Sequence, residues 1–121
     1  MAARTLRYDW FYDLLKKNKL NYILTAHHLD DSLETFILNL SRATGIKGLS
    51  GIKSINDFIA RPLLIFSKDK ILEYAKKNNI RWREDSSNIK NDYQRNQIRN
   101  KVIPQLKELH PDFLNQFNKT M

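Results

Sequence analysis

Between Thr25 and Thr35 the chain reads Thr-Ala-His-His-Leu-Asp-Asp-Ser-Leu-Glu-Thr, which puts His27, His28, Asp30 and Asp31 within five positions and Glu34 three residues further on. Such a set could do several kinds of chemistry. A histidine titrates near neutrality and can take a proton from an attacking amine. Asp31 and Glu34, at i and i+3, would share a helix face turned away from the apolar stripe, where two carboxylates could hold an ammonium group or a hydrated Mg2+. A metal site built by the chain itself is the weaker reading, because His-His-x-Asp-Asp matches no familiar pattern of helix-borne ligands. Simpler roles explain part of the cluster: Asp31 with Glu34 fits a capping box, and the histidines could be ordinary turn residues. A cap accounts for neither Asp30 nor the two adjacent histidines.

The flanking segments decide where this cluster sits. Upstream, Tyr22 to Ala26 is a short apolar, β-favouring run with little alternation, as expected of a buried parallel strand over about 21–26. Downstream, Leu33, Phe36, Ile37 and Leu40 recur at i, i+3, i+4 and i+7, the stripe of an amphipathic helix over about 30–43. A strand that runs into a helix through a short polar turn leaves the turn outside the carboxyl end of the strand, where open α/β sheets bind ligands.

The remainder supports this layout. Residues 2–17 have helical composition with Tyr8, Phe11, Tyr12 and Leu15 on one stripe, yet Arg4 and Arg7 stand at the positive end of the helix dipole. Cations there are unfavourable unless the helix starts earlier or they serve a ligand. All three glycines lie in Gly45-Ile46-Lys47-Gly48-Leu49-Ser50-Gly51, either a flexible connector or a backbone able to approach a phosphate. Phe58-Ile59-Ala60 is a second strand candidate, and Ser67 can cap a helix over about 68–78. Residues 83–92 read as a polar loop. A helix over about 92–103 carries Arg95 and Arg99 at i, i+4 and is kinked or restarted by Pro104; a short helical stretch surrounds Phe113, Leu114 and Phe117. Strands alternating with helices first, then helices alone, predict an α/β fold: part of a doubly wound, mostly parallel Rossmann-like sheet followed by a helical extension.

Composition bounds the function. The 121 residues make at most one domain, and nothing approaches the ~18 uninterrupted apolar residues of a membrane helix. With no cysteine, disulfides, thiolate catalysis and Cys-ligated zinc or iron–sulfur clusters are excluded within the chain. A net charge of +8 favours a polyanionic partner such as nucleic acid.

Six motifs then occur in order: Ala3-Arg4-x-x-Arg7-Tyr8; Thr25-Ala26-His27-His28-x-Asp30-Asp31-x-x-Glu34-Thr35; Arg42-x-x-Gly45-x-x-Gly48-Leu49-x-Gly51; Arg61-Pro62-Leu63-Leu64; Glu84-Asp85-Ser86-Ser87-Asn88; and Tyr93-x-Arg95-Asn96-x-Ile98-Arg99. In this respect the chain resembles bacterial tRNA(Ile)-lysidine synthases, over about residues 2–112. The resemblance implies a pyrophosphatase-loop ATPase of the cytoplasm that adenylates the wobble cytidine of tRNA(Ile) and lets the ε-amine of L-lysine displace AMP. It implies ATP, with Mg2+ accompanying it, as cofactors. Residue by residue, it implies His27, His28 and Asp30 as catalytic candidates, either histidine serving as base; Asp31 and Glu34 as the lysine-binding carboxylates; Arg4 or Arg7, with Arg4 preferred, on the ATP phosphates or the adenylate; and Arg61, Arg95, Asn96 and Arg99 as residues that touch RNA or order the site. No protein ligand for a metal is assigned.

One departure matters. The family's phosphate loop, Ser-Gly-Gly-x-Asp-Ser, is expected ahead of the first helix and does not occur in these 121 residues. The expectation is therefore a piece of a longer enzyme, inactive by itself, with residues 1–84 as the C-terminal half of the catalytic domain and 85–121 as a polar loop and helical linker. An uncovered sheet edge would then favour self-association. Two alternatives stay open: a basic RNA-binding or structural module without catalysis, and a related tRNA-thiolating enzyme, although those usually employ cysteines.

Overall fold

The computed structural model describes residues 2–83 and 93–121, so the Glu84 to Asn88 motif lies outside the described residues. The chain opens with α1 (Ala2–Asn18), whose first turn holds no acidic residue and whose last turn carries Lys16 and Lys17. Among its residues from 3 onward, only Leu15 is buried. Lys19, at φ 52°, ends the helix in the left-handed region, and the Leu20 amide donates back to the Leu15 carbonyl.

A three-stranded sheet follows in the order β1-β3-β2, with β1 at Ile23–Leu24, β2 at Ile55–Asn56 and β3 at Ile59–Ala60. β1 pairs parallel to β3, Ile23 opposite Ile59, whereas β2 pairs antiparallel to β3, Asn56 opposite Ile59. The expected doubly wound, mostly parallel sheet is thus corrected: the described residues form a small mixed sheet of two-residue strands. The strand expected over 21–26 pairs at two residues, the length of its neighbour β3; its ladder is extended by the Ile23 amide to Phe58 O at 2.7 Å and the Thr25 amide to Ala60 O at 3.0 Å.

The crossover from β1 to β3 carries α2 (Leu29–Ser41) and α3 (Gly45–Leu49). α3 replaces the glycine loop. A Cβ on Gly48 would stand 2.1 Å from Thr44 Oγ1, and the Gly48 carbonyl accepts from Asn39 Nδ2 at 2.9 Å. Gly48 therefore lets the short helix close against its own Thr44, while its carbonyl joins that helix to α2. After β3 come α4 (Lys68–Lys77), α5 (Tyr93–Gln97), a π-helical turn (Ile98–Val102), α6 (Ile103–Leu109) and α7 (Phe113–Thr120). Ser67 caps α4 as expected, accepting from the Lys70 amide. The π turn answers to Pro104, which has no N–H for the carbonyl four residues back; the Ile103 amide bonds Ile98 O instead.

The main core lies between α2 and the helical extension. Leu29, Leu33, Leu38, Ile98, Ile103 and Phe117 are buried together, with Phe36, Ile37, Phe113 and Leu114 packed around them. Phe36 meets Phe117 edge-on at 5.4 Å between ring centroids. The expected stripe ended on Leu40, which is exposed; Leu38 takes the buried place. No helix among the described residues is long and apolar enough to cross a membrane.

Candidate functional site

The local chain direction at the turn after β1 is set by His28. Its backbone is extended (φ −127°, ψ −178°), its Nδ1 accepts from the Asp31 amide at 3.4 Å, and its own amide donates to Asp31 Oδ2 at 2.9 Å. This is a reciprocal capping box with His28 at the N-cap and Asp31 three residues later. The box expected from Asp31 to Glu34 is corrected accordingly: the helix begins one turn earlier, held by the Leu29 amide on Phe66 O at 2.8 Å.

Asp30 points elsewhere. It accepts from the Lys68 amide at the start of α4 at 2.8 Å and lies 3.9 Å from Lys107 Nζ of α6. A carboxylate at a second helix's N-terminus complements that helix dipole, so Asp30 ties α2, α4 and α6 together.

Glu34 is 2% exposed and is gripped from the extension. Arg99 donates Nε to Oε1 at 2.5 Å and Nη2 to Oε2 at 3.1 Å, Arg95 Nη1 lies 3.7 Å from Oε2, and Arg95 Nη2 donates to Thr35 Oγ1 at 3.0 Å. The bidentate bond to Glu34, ahead of the opposing effect of burial, raises the pKa of Arg99 above its ordinary value. Asp31 and Glu34 therefore do not share an open face, which corrects the expectation from helical spacing: Glu34 turns inward to α5 and the π turn. Asn96 lies in α5 beside this pair of arginines.

What remains open is the other side of the turn. A cavity of about 410 Å3 lies at the carboxyl end of β1, lined by Arg7, Tyr8, Phe11, residues 24–27 and Asp31. His27 shares a 2.7 Å hydrogen bond with Thr25 Oγ1 through Nδ1. Its pKa is lowered, first by burial, with Arg61, Arg4 and His28 acting the same way and Asp31 opposing. A half-buried imidazole kept neutral, a carboxylate and a guanidinium around one cavity can bind a cation, accept a proton and hold an anion. Arg7 lines this cavity, while Arg4, one turn earlier, lines a neighbouring one.

The chain belongs to the PP-loop domain family, which matches residues 1–106. Members have a Rossmann-like adenine-nucleotide-hydrolase fold and use ATP. Among relatives, the tRNA(Ile)-lysidine synthase of Porphyromonas gingivalis W83 is 48% identical over 112 residues, covering 92% of this chain and 25% of the relative. That of Petrotoga mobilis is 41% identical over 117 residues, 97% of this chain and 38% of its own length, and that of Bacillus subtilis 168 is 39% identical over 122 residues, 98% and 26% respectively. The chain thus spans between a quarter and two fifths of these relatives.

Two contacts around this turn were not foreseen. The Thr25 bond to His27 and the Arg99 grip on Glu34 join residues 2 and 65 positions apart. Only the second had a signal: arginines at i, i+4 in a helix could have been matched to Glu34 and Thr35 as a polar pair on another.

Proposed function

We propose that this chain is part of an ATP-dependent ligase that adenylates the wobble cytidine of tRNA(Ile) and joins it to L-lysine. The observation that carries the reading is the convergence of Asp31, His27 and Arg7 on one cavity at the end of β1, in a chain whose relatives are named tRNA(Ile)-lysidine synthases. Asp31 takes the lysine ammonium, Arg7 takes phosphate oxygens of the nucleotide, and Phe11 and Leu24 supply apolar wall beside them. As the C–N bond forms and the bond to the AMP oxygen breaks, the amine sheds a proton, and His27, held neutral, is the base that receives it. Glu34 stands one turn along from Asp31 with both oxygens on Arg99, and it joins the ammonium site where Arg99 yields. His28 and Asp30 act by positioning, as cap and tether. Mg2+ enters with the nucleotide phosphates. The division near residue 84 into catalytic portion and helical linker, and a cytoplasmic setting, belong to the same proposal. β1 is an edge strand with Leu24 69% exposed, which supports self-association at high concentration.

The test is a lysine titration in a full-length enzyme carrying this segment. Asp31→Asn keeps an acceptor for the His28 amide but removes a charge-assisted partner for the ammonium, worth about 1.5–3 kcal/mol, or roughly ten- to a hundredfold in apparent lysine affinity. Adenylation of the tRNA should continue at nearly the parent rate. An unchanged lysine dependence in Asp31→Asn with an unchanged melting temperature would remove Asp31 from the site and the reading with it.

A further inference from the structure

The second cavity holds the most expensive group that the proposed chemistry leaves unused. It measures about 450 Å3 and opens between α1 and the β2–β3 hairpin, with Arg4, Tyr8, Asp9 and Tyr12 on one wall and Asp57 and Arg61 on the other. Arg61 is 7% exposed. Its Nη1 donates to the Lys53 carbonyl at 2.8 Å, its Nε has no hydrogen-bond partner, and among the described residues no carboxylate lies within ion-pair distance of it. Tethering a hairpin needs one N–H donor, which a neutral side chain could supply. A buried guanidinium without a counter-ion is costly, and that cost has a purpose if an anion arrives.

We propose that this cleft binds a backbone phosphodiester of the RNA substrate, next to the nucleotide whose base enters the cavity at the end of β1. The inference rests on the RNA reading above and adds to it a second, separate subsite. Its charge balance selects the ligand. Arg4 and Arg61 supply two positive charges, Asp9 and Asp57 two negative ones, so the cleft is formally neutral. A free nucleoside triphosphate would bring several negative charges against the two aspartates, whereas a phosphodiester brings one and can sit on the arginine side. Aromatic rings complete the fit to a polynucleotide. Tyr12 stands 5.5 Å from Phe58, and the Arg4 guanidinium lies 5.5 Å above the Tyr8 ring, giving faces for a base or ribose beside the phosphate. Tyr8 lines both cavities, so the two subsites are adjacent across one ring, as successive nucleotides of one strand require. The influence of Arg4 and Arg61 on His27 is consistent with that closeness.

The experiment measures binding of a fluorescent anticodon-stem-loop RNA and, separately, of a fluorescent ATP analogue to a full-length enzyme carrying this segment across a salt series. Arg4→Gln, at an exposed position, should weaken RNA binding about three- to tenfold and reduce the slope of log affinity against log salt by about 0.7, while leaving the ATP analogue unaffected. Asp57→Asn sits at φ 53°, a conformation that asparagine tolerates, and should strengthen RNA binding and admit the triphosphate to the cleft. Because Arg61→Gln can fail to fold, Arg61→Lys serves beside it and should retain only part of the affinity. RNA affinity and salt slope unchanged in Arg4→Gln, or a loss confined to the ATP analogue, would overturn the proposal. Lysine ligation is not read in this assay. Failure here leaves the Asp31 titration standing; failure of that titration removes the lysine site, while RNA binding at this cleft is measured without it.

Discussion

The two sides of α2 are built on opposite terms. Towards α5, α6 and α7 it presents Leu29, Leu33 and Leu38 to a continuous core, and it fastens that side with the Glu34–Arg99 pair and the Asp30 contacts to α4 and α6. Towards α1 and β1 stand the half-buried His27 of the preceding turn, Asp31 and an open cavity, next to an edge strand whose Leu24 is 69% exposed. The first side uses side chains to hold position; the second leaves them with unspent bonding capacity. A binding site needs both, since groups kept free for a ligand must be aimed by groups that are not free.

The largest expected contrast is in packing. Leu33 is 1% exposed at the centre of the core, so Leu33→Ala should cost about 2–5 kcal/mol of folding stability. Leu24→Ala, on the open side, should stay within about 0.5 kcal/mol. Urea unfolding of the two variants measures the difference. Equal losses would mean that the open side is as well packed as the core and would erase the distinction.

A smaller contrast lies inside the ion pair. Arg99→Leu strands a carboxylate that is 2% exposed, with Arg95 at 3.7 Å as the remaining cation among the described residues, and should cost about 3 kcal/mol. Glu34→Gln removes the buried charge and leaves behind a guanidinium whose side chain is 40% exposed and can turn to water, so about 1 kcal/mol is expected. The order of the two losses is the test. A larger loss for Glu34→Gln would show that Arg99 is held by more than this carboxylate.

The same asymmetry governs what the sequence reveals. Features written in adjacent residues were legible: the strand-turn-helix around residues 23–41, the Ser67 cap of α4, and ordered motifs specific enough to indicate a family. Features made by contacts distant in sequence were not. Nothing local to Glu34 announces a guanidinium 65 residues away, and helical spacing alone placed it on an open face with Asp31. β2 was missed because a two-residue strand carries no periodicity, and a histidine N-cap was missed because aspartate one turn later is the commoner choice. The difference between Arg4 and Arg7 shows the limit most plainly: one helical turn separates them, and they line different cavities because Tyr8 stands between the two spaces.

The finest comparison concerns a single proton. His27 faces Asp31, which favours its charged form, and Arg61, Arg4 and His28, which with burial disfavour it; the balance lowers its pKa from 6.5. The unfolded chain therefore takes up this proton at a higher pH than the folded one. His27 contributes stability that is complete above about pH 6.5 and is lost as the pH falls through its folded value. An NMR titration of the imidazole should find the midpoint below 6.5. Asp31→Asn removes the one influence that raises the pKa and should shift the midpoint further down; Arg4→Gln removes one that lowers it and should shift the midpoint up. Opposite shifts in the two variants would place His27 between an anion on one side and cations on the other, as a base within reach of both cavities must be. Shifts of the same sign, or none, would mean that burial alone sets its charge and that the open side of α2 lacks the electrostatic design attributed to it here.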